Sequence, residues 1–384
     1  MKKNYKKIKG TGLLSLFLAV LFVSSCKKDR IEQIPVSVAK QQVITGTKGV
    51  YMLCEGLMNG NNSAISYYDI TTNTTVQDYF KQVNGRALGE TANDLEAYGS
   101  KMYCVVSGVQ GKAQSFIEIM DIASGKSLKS IPLNSANDGF MPRFVTFYKN
   151  KAYVSRYDGK ISRIDTTTLA IDAELQLMNG TNKAEGLEGL AVANGKLYVT
   201  NSSHPYYPNS LKSKVTVIDL ATFTKTKDIE VGHNPVRIAT APNGDLFTIT
   251  WMDYNVGNEA TLVRISSITD AVIQTEKYDL GSISIGSSIG WVSKDIYTNP
   301  SIKALNLSTG KIGNDLITDG TQINTIYGLT VNPYDGYVVV ADAENYSPAQ
   351  GMAYIYGTDG KRKYSFKTAG LPQHAVFVYN YKYE

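Results

Sequence analysis

Two groups of side chains in the 384-residue chain are of types that could do chemistry. The first is aromatic: Phe140, His204, Tyr206, Tyr207, Trp251, Tyr254 and Tyr346, with the amides Asn201 and Asn255 beside them. Tyr and Trp offer large, stiff ring area with one polar tip, and amides bond other amides. The set therefore suits a flat ligand fringed with amide arms or sugar hydroxyls. The second group, Asp94, Glu96, Arg143, Glu185, Glu188, Arg237 and His374, mixes carboxylates with arginines. Carboxylates around one cavity could hold Ca²⁺ or do acid–base work. Arginines placed among them favour a solvated ion-pair network instead, and that is the expectation here. His204, His233 and His374 form no H-x-H or H-E-x-x-H arrangement, and neither G-x-S-x-G nor G-x-x-x-x-G-K-[ST] occurs. The residues point to binding rather than catalysis, with no cofactor and no metal.

The elements that position these groups follow from a repeat. A short β-rich run recurs around Tyr51, Tyr103, Tyr153, Tyr198, Phe247, Tyr297 and Val339, at spacings of 42 to 52 residues. A second run follows each first one, as in ISRIDTTT and VTVIDLAT, where alternating apolar residues end in Asp and a Thr/Ser cluster. That pattern reads as a strand entering a tight turn whose carboxylate accepts backbone N–H groups. Four short strands per unit of about 48 residues, with no long helical period, is the signature of a propeller blade. The expected fold is all-β, a seven-bladed β-propeller over residues 49–384. The first unit lacks an innermost strand, and HAVFVYN (374–380) supplies it from the C-terminus, closing the ring without an open edge.

Turns such as Asn194-Gly195 and Asn243-Gly244 are tight and alike, so one face of the ring is smooth. Longer connections are expected on the other face, at 55–63, 108–115, 201–213, 252–260 and 342–351 within blades and at 81–93, 134–142, 178–187 and 281–287 between them. Irregular loops gathered at one end of a rigid scaffold are where binding is usually found, and most of the aromatic group lies in them.

The N-terminus is of a different kind. Residues 1–25 hold five lysines, no acid and the apolar run Leu13–Val23, and Ser24-Ser25-Cys26 follows. A basic stretch, a short apolar core and small residues describe an export signal. The whole formal charge of +5 belongs to this segment, so the remainder is charge-balanced and a nucleic-acid partner is not expected. Cys26 resembles the lipidated cysteine of a bacterial lipobox, which implies a signal peptide over 1–25, a lipidated tether over 26–48 and a membrane anchor. Cys54 and Cys104 lie within strands and read as small core residues more readily than as a disulfide.

Tyr198-Val199-Thr200-Asn201 spells YVTN, and GHNPVRIATAPNGDLF (232–247) resembles the repeat consensus of the YVTN, or YncE-like, surface-layer propellers. With the lipobox, the tether and the Tyr-rich single propeller, the layout is similar to the Bacteroides surface lipoproteins that capture vitamin B12 and related corrinoids. That resemblance implies a non-catalytic protein, lipid-anchored at the outer membrane and exposed on the cell surface. It would take a corrinoid as ligand rather than cofactor and pass it to a TonB-dependent transporter. A propeller lactonase using channel carboxylates with Ca²⁺, or a glycan- or protein-interaction propeller, are the alternatives the residues leave open.

Overall fold

The computed structural model describes residues 42–109, 111–134, 142–204, 207–294 and 299–383. Seven antiparallel four-stranded sheets follow one another around a closed ring. In six of them the chain enters at the innermost strand and moves outward. In the first blade the order from the outside is Thr74–Val76, Ala64–Asp69, Gln42–Cys54 and Pro372–Tyr383, so the C-terminal strand is innermost, as expected. Its pairing with Gln42–Cys54 begins at Gln42↔Tyr383, so strand structure reaches into the stretch read as tether. The innermost strands of successive blades touch all the way around, from Ala92–Tyr98 back to Pro372–Tyr383. Among the described residues no helix is long and apolar enough to cross a membrane.

The repeated aromatic explains why the blades stack. Seven hydrophobic clusters lie one at each blade–blade interface, and six of them each hold one member of the series. Strand residues alternate between faces, so Tyr51 packs toward the second blade while its neighbours Val50 and Met52 pack toward the seventh. Burying one such side chain contributes about 1.5–3 kcal/mol. Blade six departs from the expected pattern. Its second strand is Gly290–Lys294, and Trp291 pairs with Ala304 as Tyr153 pairs with Arg163 three blades earlier. Trp291 is therefore the aromatic of that interface, and Tyr297 lies outside the described residues. Residues 281–285, expected in a connection, belong to the innermost strand Leu280–Ile285, whose Ser/Gly-rich sequence hides its period.

Consecutive strands run antiparallel, so the first–second and third–fourth turns share one end of the ring and the other connections share the opposite end. The tight turns are built alike. Asp69, Asp165, Asp219 and Asn306 each accept two backbone N–H groups through Oδ1, at 2.8–3.0 Å. Cys54 and Cys104 are both buried free thiols.

Candidate functional site at the channel mouth

All seven innermost strands slip register within their first residues: at 92/94, 142/145, 187/190, 235/237, 280/283, 326/328 and 372/374. A bulge bends its strand and re-aims side chains, here at the end of the channel where the longer loops lie. The residues carried at these slips include Asp94, Arg143, Glu188, Arg237, Tyr327 and His374. Two slips need glycine for the next blade to approach. A Cβ on Gly328 would fall 1.8 Å from the Gln373 carbonyl oxygen, and one on Gly189 would fall 2.9 Å from that of Val236.

These side chains form three connected groups. In the first, Arg143 Nε donates to Glu188 Oε2 at 3.2 Å and its guanidinium lies over the Tyr157 ring at 4.8 Å. The Tyr157 hydroxyl donates to the same carboxylate. Tyr207 and His204 pack on Tyr157 with centroids at 4.8 and 5.5 Å. Burial disfavours the Arg143 charge, but Glu188 outweighs it and the group is held above its ordinary value. Burial also holds His204 below the ordinary histidine value.

In the second group the Tyr327 hydroxyl donates to Glu55, and Tyr346 meets the Tyr327 ring edge-on at 5.8 Å. Burial raises Glu55 despite that hydrogen bond and the two nearby arginines. In the third, the Arg237 guanidinium sits 4.6 Å from the Phe144 ring centroid and 5.8 Å from that of Trp251. Phe144 touches His374, whose Nδ1 is 3.3 Å from Asp94 Oδ1. Burial, then Arg237, pushes His374 down to about 3, so its ring is neutral. Burial raises Asp94, and burial together with Asp94 raises Glu96.

Asp94, Glu96 and His374 offer donor atoms within 4.8 Å of one another and could hold a divalent cation. Both Asp94 oxygens also accept backbone N–H groups, from Leu95 at 3.0 Å and Val145 at 2.8 Å, which fixes the carboxylate in the fold. Of the expected ion-pair network one pair forms, Arg143–Glu188, and Arg237 takes no part in it among the described residues. Glu185 is not part of it, because its carboxylate accepts the Asn209 N–H and ties down the 201–213 loop.

The aromatic set divides. His204, Tyr207, Trp251 and Tyr346 belong to the channel mouth. Trp251 is 37% exposed, with Nε1 donating to the Leu280 carbonyl at 3.0 Å. Tyr254, 90% exposed, and Asn255 instead line a cleft of about 410 Å³ that also reaches His204, Ser203 and Lys212. Asn201 is fully buried and gives its amide N–H groups to Val199 O, Lys214 O and Thr216 Oγ1. It braces a blade and has no surface to offer a ligand. Phe140, Tyr206 and Cys26 lie outside the described residues. Sequence reasoning missed Phe144, Tyr157, Tyr327 and Glu55. Tyr327 had a signal, since it stands at the start of an innermost strand as Arg143 and Glu188 do.

Near the cleft, Asp253 Oδ2 lies 3.0 Å from both Ser203 Oγ and His233 Nε2. The carboxylate stands between hydroxyl and imidazole, so the imidazole is not placed to take the serine proton, and this is no acyl-transfer triad.

The chain resembles several solved propellers in fold. A candidate 6-phosphogluconolactonase from Bacteroides uniformis ATCC 8492 aligns over 86% of this chain and 100% of its own, at 14% identity and TM-score 0.62. A second, from Bacteroides fragilis NCTC 9343, aligns over 86% and 98%, at 14% identity and TM-score 0.58. The Pan2 WD40 domain of Neurospora crassa aligns over 68% and 75%, at 9% identity and TM-score 0.50. At these identities the likeness concerns the fold alone. No curated protein matches the chain in sequence. The family model for a domain of unknown function, DUF5074, matches residues 48–299, and the chain belongs to that family.

Proposed function

We propose that this propeller is a non-catalytic binding protein whose channel mouth captures a small, flat, polar-fringed nutrient, most specifically a corrinoid. The observation that carries the reading is the gathering of Trp251, Tyr327 and Tyr346, each with part of its ring exposed, at the channel mouth of a rigid ring of blades. Rings give contact area at low ordering cost, and a preformed opening adds little to that cost. The corrinoid assignment draws on the layout of lipobox, tether and YncE-like propeller. So do the lipid anchor through Cys26, the surface-exposed position at the outer membrane and the hand-over to a TonB-dependent transporter. Cyanocobalamin mixed with the full chain in detergent should co-elute as visible absorbance on gel filtration. Absence of co-elution and of binding heat at micromolar concentrations of both would remove the corrinoid.

A second reading is favoured by one observation, the meeting of Asp94, Glu96 and neutral His374. Carboxyl groups held partly protonated beside a neutral imidazole are equipped for acid–base work, as a hydrolase of lactones would require. Turnover of lactone substrates that is lost in Glu96→Gln would establish it, and no turnover with or without Ca²⁺ would dismiss it.

A further inference from the structure

Arg143 and Arg237 stand at the same kind of register slip, and their surroundings differ. Arg143 has its carboxylate partner, Glu188, and a further bond to Ser107 Oγ at 3.3 Å. Arg237 has two aromatic rings and, among the described residues, no hydrogen-bond acceptor or ion pair. Its five N–H donors form a planar fork that matches two oxygens at once. Rings stabilise such a cation through their faces but accept none of those N–H groups in its plane. The guanidinium is only half-buried, so it keeps a face open to solvent through which those donors can reach a ligand.

The neighbouring acids do not supply that acceptor. Glu188 is committed to Arg143 and Tyr157, Glu55 to Tyr327, and Asp94 to two backbone N–H groups. Burial lowers Arg237 below its ordinary value, and Glu188 and Asp94 recover only part of that loss from a distance. Phe144 and Trp251 meanwhile hold the fork in place, and Trp251 is itself pinned through Leu280.

We infer that the ligand of the channel mouth presents an oxyanion, a phosphate or carboxylate group, to Arg237. This rests on the binding reading above and specifies one group that its ligand carries. The aromatic rings would take the flat body and the guanidinium the anionic end. An oxyanion there would form charge-assisted, bidentate hydrogen bonds that no described residue supplies to Arg237.

The test is calorimetric titration of the full chain in detergent with inorganic phosphate and, separately, with acetate, at low and at high salt. Binding of at least one is expected, weakening as ionic strength rises, and the preferred anion distinguishes a phosphate from a carboxylate end. Arg237→Gln should weaken it at least tenfold, whereas Arg362→Gln, on an outer strand of the seventh blade, should leave it unchanged. Arg237→Lys keeps the charge and loses the fork, so it should fall between the two and serves if the Gln variant does not fold. Unchanged affinity in both Arg237 variants, or no binding of either anion by the parent, overturns the inference. A neutral ligand that binds equally to parent and Arg237→Gln overturns it while leaving the binding reading intact. Oxyanion binding at Arg237 with no organic ligand sensitive to Trp251 does the reverse.

Discussion

At the end of the ring where the tight turns lie, Asp69, Asp165, Asp219 and Asn306 perform one task, each accepting the same pair of backbone N–H groups three or fewer residues ahead. At the other end, Arg143, Arg237, Tyr327 and His374 occupy equivalent slips and do four different things. Polar groups at the first end are satisfied locally, by their own blade, and repeat because each blade needs them. Those at the second are satisfied across blades or left with open donors, and none repeats. Repetition there marks what the fold requires, and its absence marks what the fold leaves available for a ligand.

Variants should separate the two ends. The largest effect is expected from Trp251→Ala combined with Tyr346→Ala. Buried aromatic anchors cost about 2 kcal/mol or more when truncated, so ligand affinity measured by calorimetry should fall roughly thirtyfold or further. The melting temperature should stay near that of the parent, since both rings are more than a third exposed. The converse is expected of Asp121→Ala at the other end. Asp121 Oδ1 accepts the Ser124 N–H at 2.9 Å and its hydroxyl at 2.6 Å, so urea unfolding should show a loss of about 1 kcal/mol with ligand affinity unchanged.

Acid should act through different windows. His374, pushed from 6.5 to about 3 by burial and Arg237, binds fewer protons in the folded chain than in the unfolded one between those values. Its contribution is complete above pH 6.5 and is lost as pH falls toward 3. Asp253 is pulled from 3.8 to about 2 by its bond to His233, so its contribution is present above 3.8 and is lost as pH falls through 2. Asp94 and Glu96, raised by burial, act in the opposite sense. Melting profiles should therefore be compared as differences from the parent. His374→Gln flattens the profile between pH 6.5 and 3, and Asp253→Asn flattens it only below about 4. The smallest effect is expected from reductant, because Cys54 and Cys104 are separate buried thiols and melting should be unaltered.

The fold was legible because a period of about 48 residues leaves the same residue types in the same places, from Tyr51 to Val339. In blade six only the second strand was read too late, because the innermost strand Leu280–Ile285 carries serine and glycine where other innermost strands carry larger apolar residues. The aromatic element read at Tyr297 belonged earlier, at Trp291. The channel charges were legible from their place at strand starts. Tyr157, Glu55 and Phe144 were not, because only the closure of the ring brings side chains of different blades together. Asn201 misled in the opposite way. It ends a strand where a loop begins, but its amide turns back onto the neighbouring strand's carbonyl rather than outward.

A ligand site built on aromatic rings at the channel mouth must lose affinity when those rings are removed and the fold is kept. Calorimetry of the full chain in detergent with cyanocobalamin, set beside the Trp251→Ala, Tyr346→Ala variant, reads that loss. Saturable heat in the parent that weakens at least thirtyfold in a variant of unchanged melting temperature is the predicted result. Heat of equal strength in both proteins would contradict it.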